Sequence, residues 1–209
     1  MRIVVTRAAG QTDELAARLE SLGHEVVRCP LIEVEPLGDE PIDVAAYDWV
    51  VVTSPNGARE LARRLAARPA HLAAIGPGTA DVLRAHGYEP DLVPCVHTQE
   101  GLRDELPPGR TLLAAAEAAR LGVLDADFLA LYRTIELLPE TPPAGDLVVL
   151  ASSSAARAFA ATGVAIPAVA IGPQTAATAR ERGIEVVAEA ESSDLDGLVA
   201  AVERALASM

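Results

Sequence analysis

A segment of about fifty residues recurs roughly a hundred residues further along this chain. Val50-Val51-Val52-Thr53-Ser54-Pro55-Asn56-Gly57-Ala58-Arg59 is matched by Val148-Val149-Leu150-Ala151-Ser152-Ser153-Ser154-Ala155-Ala156-Arg157. Ile75-Gly76-Pro77-Gly78-Thr79-Ala80 is matched by Ile171-Gly172-Pro173-Gln174-Thr175-Ala176, with Arg84 and Gly87 echoed by Arg180 and Gly183, and Gly101-Leu102 by Gly197-Leu198. Solenoid units are only about 20–50 residues long, so a period of this length predicts two related α/β lobes. What repeats is the hydroxyl- and glycine-rich turn that follows each apolar run, the place where α/β proteins take up ligands. The duplication therefore predicts a ligand cleft between the lobes.

Half of the 209 residues are apolar, enough for two cores. Aromatic residues make up 3 %, so those cores must be built from Ala, Val, Leu and Ile. All seventeen basic residues are Arg. A chain without lysine cannot form a Schiff base, hold pyridoxal phosphate through a lysine or use a P-loop lysine. A net charge of −13 argues against nucleic acid or an anionic membrane as partner, while a small anion responds to the local site. Cys29 and Cys95 form no CxxC pattern, and His24, His71, His86 and His97 have no i,i+3 or i,i+4 spacing, so neither a disulfide nor a metal site is expected. The apolar run at Ile3-Val4-Val5 is too short for a signal peptide. The segment 158–179 lacks charge but is broken by Gly163, Pro167, Gly172 and Pro173, which excludes a membrane span. A soluble, cytoplasmic protein is expected.

Short β-branched runs alternate with Ala/Leu/Arg segments of helical period, the pattern of βα units on parallel sheets. Strands are predicted at 3–6, 25–29, 49–53, 73–75, 92–94, 111–113, 129–132, 147–151, 168–171 and 185–188, five to a lobe. Helices are predicted at 13–22, 56–67, 79–86, 98–106, 154–161, 175–182 and 194–207, several stopped by a glycine. Proline-rich breaks fall at 36–41, 107–108 and 139–143, the first and last being the best crossings between lobes. From 112 to 132 the chain is about six residues shorter than the corresponding stretch from 4 to 30, and it reads Ala114-Ala115-Ala116-Glu117-Ala118-Ala119-Arg120. The helix expected there must be curtailed or displaced.

Thr53, Ser54 and Asn56 end a strand and open a helix, which makes an anion-ready turn of hydroxyls and unpaired backbone N–H groups. Ser54 or Asn56 as a plain helix cap is the competing reading. Ser152, Ser153 and Ser154 offer the same choice in the second copy. Gly76 and Gly172 let the backbone turn, with Thr79 and Thr175 as the predicted N-caps, and the spacing is not that of a dinucleotide fingerprint. Arg7, just past the first strand, is placed either to meet a carboxylate or to sit in solvent. Tyr132 ends an apolar strand, where its phenol can donate into the site or be the wet tip of a half-buried ring. No Ser/His/Asp set, carboxylate pair or metal cluster accompanies these residues.

Taken in order, Thr6-Arg7, Pro30-Leu31-Ile32, Asp48 through Gly57, Ile75 through Ala80, Tyr132-Arg133-Thr134, Ser152-Ser153-Ser154 and Ala170 through Ala176 resemble the uroporphyrinogen-III synthase family nearly end to end. The resemblance implies two flavodoxin-like lobes, each a five-stranded parallel sheet flanked by helices and joined by a pair of strands, with residues 1–34 and 137–209 in one and 35–136 in the other. It implies a cyclising hydro-lyase acting on hydroxymethylbilane, a linear tetrapyrrole bearing eight carboxylates. Loss of the terminal hydroxyl gives an azafulvene, and the last ring is inverted through a spiro intermediate before closure.

The resemblance implies no cofactor and no metal, only proximity and orientation catalysis. It also implies a monomer, in transient contact with the preceding pathway enzyme. Tyr132 matches the tyrosine that assists hydroxyl departure. Arg7, Thr53, Ser54, Asn56, Gly76, Thr79, Ser152, Ser153, Ser154, Gly172 and Thr175 would hold the substrate carboxylates. The family's Gly- and Arg-containing loop after the strand at 111–113 is replaced here by the alanine-rich segment 114–120, with Arg120 the nearest arginine. That departure motivates one alternative, a non-catalytic ligand-binding or regulatory protein on the same scaffold.

Overall fold

The computed structural model describes residues 1–208. They form ten strands and seven helices. In chain order these are β1 (Arg2–Val5), α1 (Asp13–Ser21), β2 (Glu25–Arg28), β3 (Ile32–Pro36), β4 (Trp49–Val52), α2 (Pro55–Arg64), β5 (His71–Ala74), α3 (Pro77–Ala85) and α4 (Gln99–Glu105). There follow β6 (Thr111–Ala116), β7 (Asp127–Glu136), β8 (Leu147–Leu150), α5 (Ser153–Ala161), β9 (Ala168–Ala170), α6 (Pro173–Glu181), β10 (Val186–Glu189) and α7 (Leu195–Ala207). The chain divides into two compact units, Met1–Glu33 with everything from Ile135 onward, and Val34–Thr134. None of the described helices is long and apolar enough to cross a membrane.

In the first unit the sheet order is β10-β9-β8-β1-β2, all parallel. Strand alternation divides its core in two. Ile3, Val5, Leu147 and Val149 pack with Leu15 and Leu19 of α1 and Leu198, Ala201 and Val202 of α7. Val4, Val148 and Leu150 face the other way, onto Ala156 and Phe159 of α5 and Ala179 of α6. Both faces are covered, which is why the strands read as unbroken apolar runs.

In the second unit the order is β3-β7-β6-β4-β5, with β7, β6, β4 and β5 mutually parallel. Leu37 N–H donates to the Leu131 carbonyl, and Arg133 pairs with Glu35, so β3 runs against β7. Val50, Val52, Leu112 and Ala114 pack on Ala58 and Leu61 of α2 and Ala80 and Leu83 of α3. Trp49, Val51, Leu113 and Ala115 pack on Leu102 of α4 and on Leu124, with Ala119 and Ala126 alongside. The segment 117–126 therefore covers with loop side chains the sheet face that α1 covers in the first unit. This is the physical form of the shortening seen in the sequence.

One predicted strand and one missed strand need correction. Residues 92–94 make only an isolated bridge, Leu92 to Ala73, instead of a strand. β3 goes unpredicted because Pro30 and Pro36 bracket it, although Ile32-Glu33-Val34-Glu35 alternates with period two. Strands β6 and β7 are also longer than expected, so Ala114, Ala115 and Ala116 lie in β6 and not in a loop. Helix α2 stops at Arg64, short of the predicted 67.

The repeated Gly-Leu pairs have a steric cause. Gly101 and Gly197 are each third in their helix, with the N–H capped by Thr98 Oγ1 at 3.1 Å and Asp194 Oδ1 at 2.7 Å. A Cβ on either glycine would collide with the carbonyl of Val96 or Ser192, backbone that cannot move aside cheaply. The leucine that follows, Leu102 or Leu198, is completely buried. Either Gly101→Ala or Gly197→Ala is expected to destabilise the protein by about 2–3 kcal/mol. Gly10→Ala, at an open surface turn, should cost about 1 kcal/mol through its positive φ of 79°. Thermal denaturation of the three variants checks the order.

Candidate functional site

Parallel pairing brings the predicted turns of each unit to one edge of its sheet. In the first unit Arg7 follows β1, Ser152–Ser154 follow β8 and Gly172–Thr175 follow β9, and these three strands are neighbours. In the second unit Thr53–Asn56 follow β4 and Gly76–Thr79 follow β5, while β7 brings Tyr132 to the same edge. Carboxyl edges of this kind collect helix N-termini, whose first N–H groups lack intrahelical partners and attract anions. Those of α2, α3, α5 and α6 all open here.

The duplication holds at the level of single hydrogen bonds. Ser54 caps α2 by accepting from Gly57 N–H at 3.0 Å, and Ser152 caps α5 by accepting from Ala155 N–H at 3.1 Å. Arg59 donates to Asn56 Oδ1 at 3.1 Å, and Arg157 donates to Ser154 Oγ at 3.0 Å. The capping reading thus holds for Ser54 and Ser152 in both copies. Arg59 and Arg157 are absent from the candidate residues of the sequence analysis. Their signal was the repeat itself, since both copies place an arginine five residues after the capping serine.

Thr79 and Thr175 are not N-caps. Gly76 and Gly172 hold that position, with Pro77 and Pro173 opening the helices, and both threonines sit third in the helix and buried. Proline at the first helical position loses no hydrogen bond, which moves each helix start two residues earlier than predicted. The glycines permit close approach: a Cβ at Gly76 would lie 3.3 Å from the His97 side chain, and one at Gly172 would lie 3.1 Å from Ser193 Oγ. Ser153 Oγ reaches the Gln174 carbonyl at 3.4 Å, joining two turns of the first unit. Thr53 is half-buried beside Ser54. Arg7 is also half-buried, and its carbonyl accepts from Thr12 Oγ1 at 3.2 Å. Arg120 is engaged by Glu100 at 2.6 Å.

Tyr132 has the most unusual setting. The pairing of β6 with β7 runs from Leu112↔Asp127 to Ala115↔Ala130 and then jumps to Ala116↔Tyr132, skipping Leu131. Such a bulge re-aims a side chain. Consecutive strand residues normally face opposite sides, yet Leu131 and Tyr132 share one core cluster with Val50, Val52, Leu61 and Ala114. The phenol then reaches Ser54 Oγ at 2.9 Å, although β6 lies between β7 and β4, a span of two strand spacings or about 9–10 Å. Ala114 and Ala116, on β6 and in contact with the same cluster, present only methyl groups beneath that path. The alanine-rich run thus leaves room for the ring.

Tyr132 is 5 % exposed, and burial pushes its phenol above the ordinary value of 10, with the Ser54 hydrogen bond acting in the opposite direction. A group whose pKa is raised on folding holds its proton more tightly in the native state. Its stabilisation is full below the unfolded value of about 10 and is lost as pH rises through the native one. Wild-type stability should therefore fall more steeply than that of Tyr132→Phe as pH rises above about 10. Denaturant titrations on both sides of that pH check this.

The uroporphyrinogen-III synthase HemD family model matches residues 13–200. A uroporphyrinogen-III synthase from Synechococcus elongatus is 30 % identical over 97 % of this chain and 94 % of its own length. A porphyrin biosynthesis protein HemD from Ruminiclostridium josui is 26 % identical over 95 % of this chain and 47 % of its own. A crystal structure of a mutant uroporphyrinogen III synthase from the extremely thermophilic bacterium Thermus thermophilus superposes with a TM-score of 0.63, covering 100 % of both chains at 18 % identity, a likeness of fold.

Proposed function

The chain belongs to the uroporphyrinogen-III synthase family, the cyclising hydro-lyases of tetrapyrrole biosynthesis, and from that membership we propose how its own residues carry the reaction. The substrate is hydroxymethylbilane. Tyr132 is the acid that protonates the departing hydroxyl, and the carboxyl-edge turns hold the acetate and propionate groups while the last ring inverts. The observation carrying this reading is the Tyr132 phenol, buried among aliphatic side chains and hydrogen-bonded to the serine that opens α2. Burial keeps the phenol neutral at physiological pH, so its hydrogen is present to be donated.

The anionic substrate meets an acidic protein at its least acidic places. The first turns of α2, α3, α5 and α6 contain no acidic residue. Arg7 follows β1 and Arg59 stands early in α2 at the same edges, while Arg157 is already paired with Glu136 at 2.7 Å. The strand order supports a flavodoxin-like winding. Numbered within the first unit, its sheet reads 2-1-3-4-5, the flavodoxin order, with Arg7 and Ser152 following the two strands at the switch point. In the second unit β7-β6-β4-β5, continued by the Leu92 bridge, has the same neighbours once β4 and β5 are matched to β8 and β9 through the repeat. There β6 and β7 stand for β1 and β2 in permuted chain order. We propose residues 1–34 with 137–209, and 35–136, as the two lobes, bounds that lie within two residues of the compact units described above.

A coupled assay tests the function. Hydroxymethylbilane is generated in place, the protein is added, and the oxidised products are separated into type I and type III uroporphyrin. A type III excess is expected, with Tyr132→Phe lowering its rate of formation about 100-fold. Type I alone from folded protein would overturn the proposal and leave the non-catalytic binder. Arg59→Ala should raise KM about tenfold at low salt, with a smaller rise at high salt because the contact is electrostatic. Steady-state kinetics at two ionic strengths measures both.

A further inference from the structure

Ser54 stands among the residues assigned to hold substrate carboxylates, yet its hydroxyl is already committed within the protein. A hydroxyl has one hydrogen to give and two lone pairs to receive. One lone pair of Ser54 Oγ takes Gly57 N–H at 3.0 Å, and Tyr132 Oη lies 2.9 Å away. If the phenol donated to Ser54, its hydrogen would be tied up in the protein. If Ser54 donates, the phenol hydrogen is left for the substrate.

The geometry points to Ser54 as the positioning residue of Tyr132: it donates its hydroxyl hydrogen to the phenol oxygen, and the phenol hydrogen goes to the departing hydroxyl. This rests on Tyr132 being the acid. The chain of donors starts at Gly57 N–H, in the first turn of α2, where the helix end is positive. An N–H donated into Ser54 Oγ strengthens the bond that Ser54 donates in turn. When the C–O bond breaks, its electron pair leaves on oxygen, the phenol proton completes a water molecule, and a cationic azafulvenium remains opposite a phenolate. The Ser54 hydrogen bond stabilises that phenolate. The ring proton lost at re-aromatisation restores the phenol, so no external acid or oxidant is consumed.

The duplicated turn supplies an independent argument. Ser152 makes the same cap, but its partner is Ala155 where the second unit has Gly57. The cap alone therefore does not require glycine. At Gly57 a Cβ would stand 3.2 Å from both Ser54 Oγ and Val52 Cγ1. Glycine keeps clear the side of Ser54 in the one copy whose serine also holds a tyrosine.

Type III formation by the full-length protein tests this. Ser54→Ala should lower kcat about tenfold, move the alkaline limb of its pH profile upward, and add nothing to Tyr132→Phe in the double variant. Ser54→Asp keeps a good cap but can only accept, so it should fold as stably as wild type and be at least as slow as Ser54→Ala. Ser54→Thr, which keeps the hydroxyl, should restore kcat to within about threefold of wild type, less than the effect of one lost hydrogen bond. Thr98→Ala removes an equivalent cap from α4 and should lower stability with kcat unchanged. Wild-type kcat in Ser54→Asp, or losses that multiply with those of Tyr132→Phe, would overturn the proposal and return Ser54 to the substrate contacts. A Tyr132→Phe enzyme of full activity would overturn the assignment of the acid and this inference with it.

Discussion

Parallel strand pairing is the constraint from which the rest of this structure follows. Two parallel neighbours cannot be joined by a tight turn, so the chain must cross over a sheet face between them. Each crossover helix then begins at the carboxyl edge, its unpaired N–H groups collected beside those of its neighbours. The pairing of β1 with β8, Ile3 against Leu147, closes the first unit with strands from far apart in the chain. The pairing of β4 with β6 has the same role in the second. An edge lined with helix N-termini is thus a consequence of how the sheets are wound.

On that shared plan the two units differ where the chemistry is proposed. Both keep a capping serine and an arginine five residues later, and only the second pairs its serine with a buried tyrosine. Three local features make that contact. The bulge at Leu131 turns Tyr132 onto the α2 face, the methyl groups of Ala114 and Ala116 leave a path over β6, and Gly57 leaves Ser54 uncrowded. The missing helix between β6 and β7 belongs to the same economy of space: Leu124, Ala119 and Ala126 cover the other sheet face from a loop. Segment 114–120, which reads as an eroded loop, is partly the strand that underlies the phenol.

Much of this was legible because it repeats or alternates. The helices were visible in their period and their glycine stops, and most strands in their apolar runs, because parallel sheets covered on both faces tolerate little else. The Gly-Leu pairs at 101 and 197 were visible as a coincidence whose steric cause only the carbonyls of Val96 and Ser192 explain. Misreadings gathered where two signals competed. Prolines at 30 and 36 hid the alternation of β3, and Thr79 and Thr175 resembled N-caps while Gly-Pro set the helix start earlier.

Taken by itself, the sequence determined the family, the α/β class, the duplication and the residues that line the strand ends, since each depends on local pattern and the order of motifs. It also determined the absence of lysine chemistry, which composition alone decides. Tertiary structure decided which way those residues point. A bulge is a mismatch between two strands and has no signature in either one. The space beneath Tyr132 is set by β6, the strand between it and Ser54, and the hydrogen bond joins residues 78 positions apart. Contacts of that range are settled by packing, because no local period connects the residues that make them.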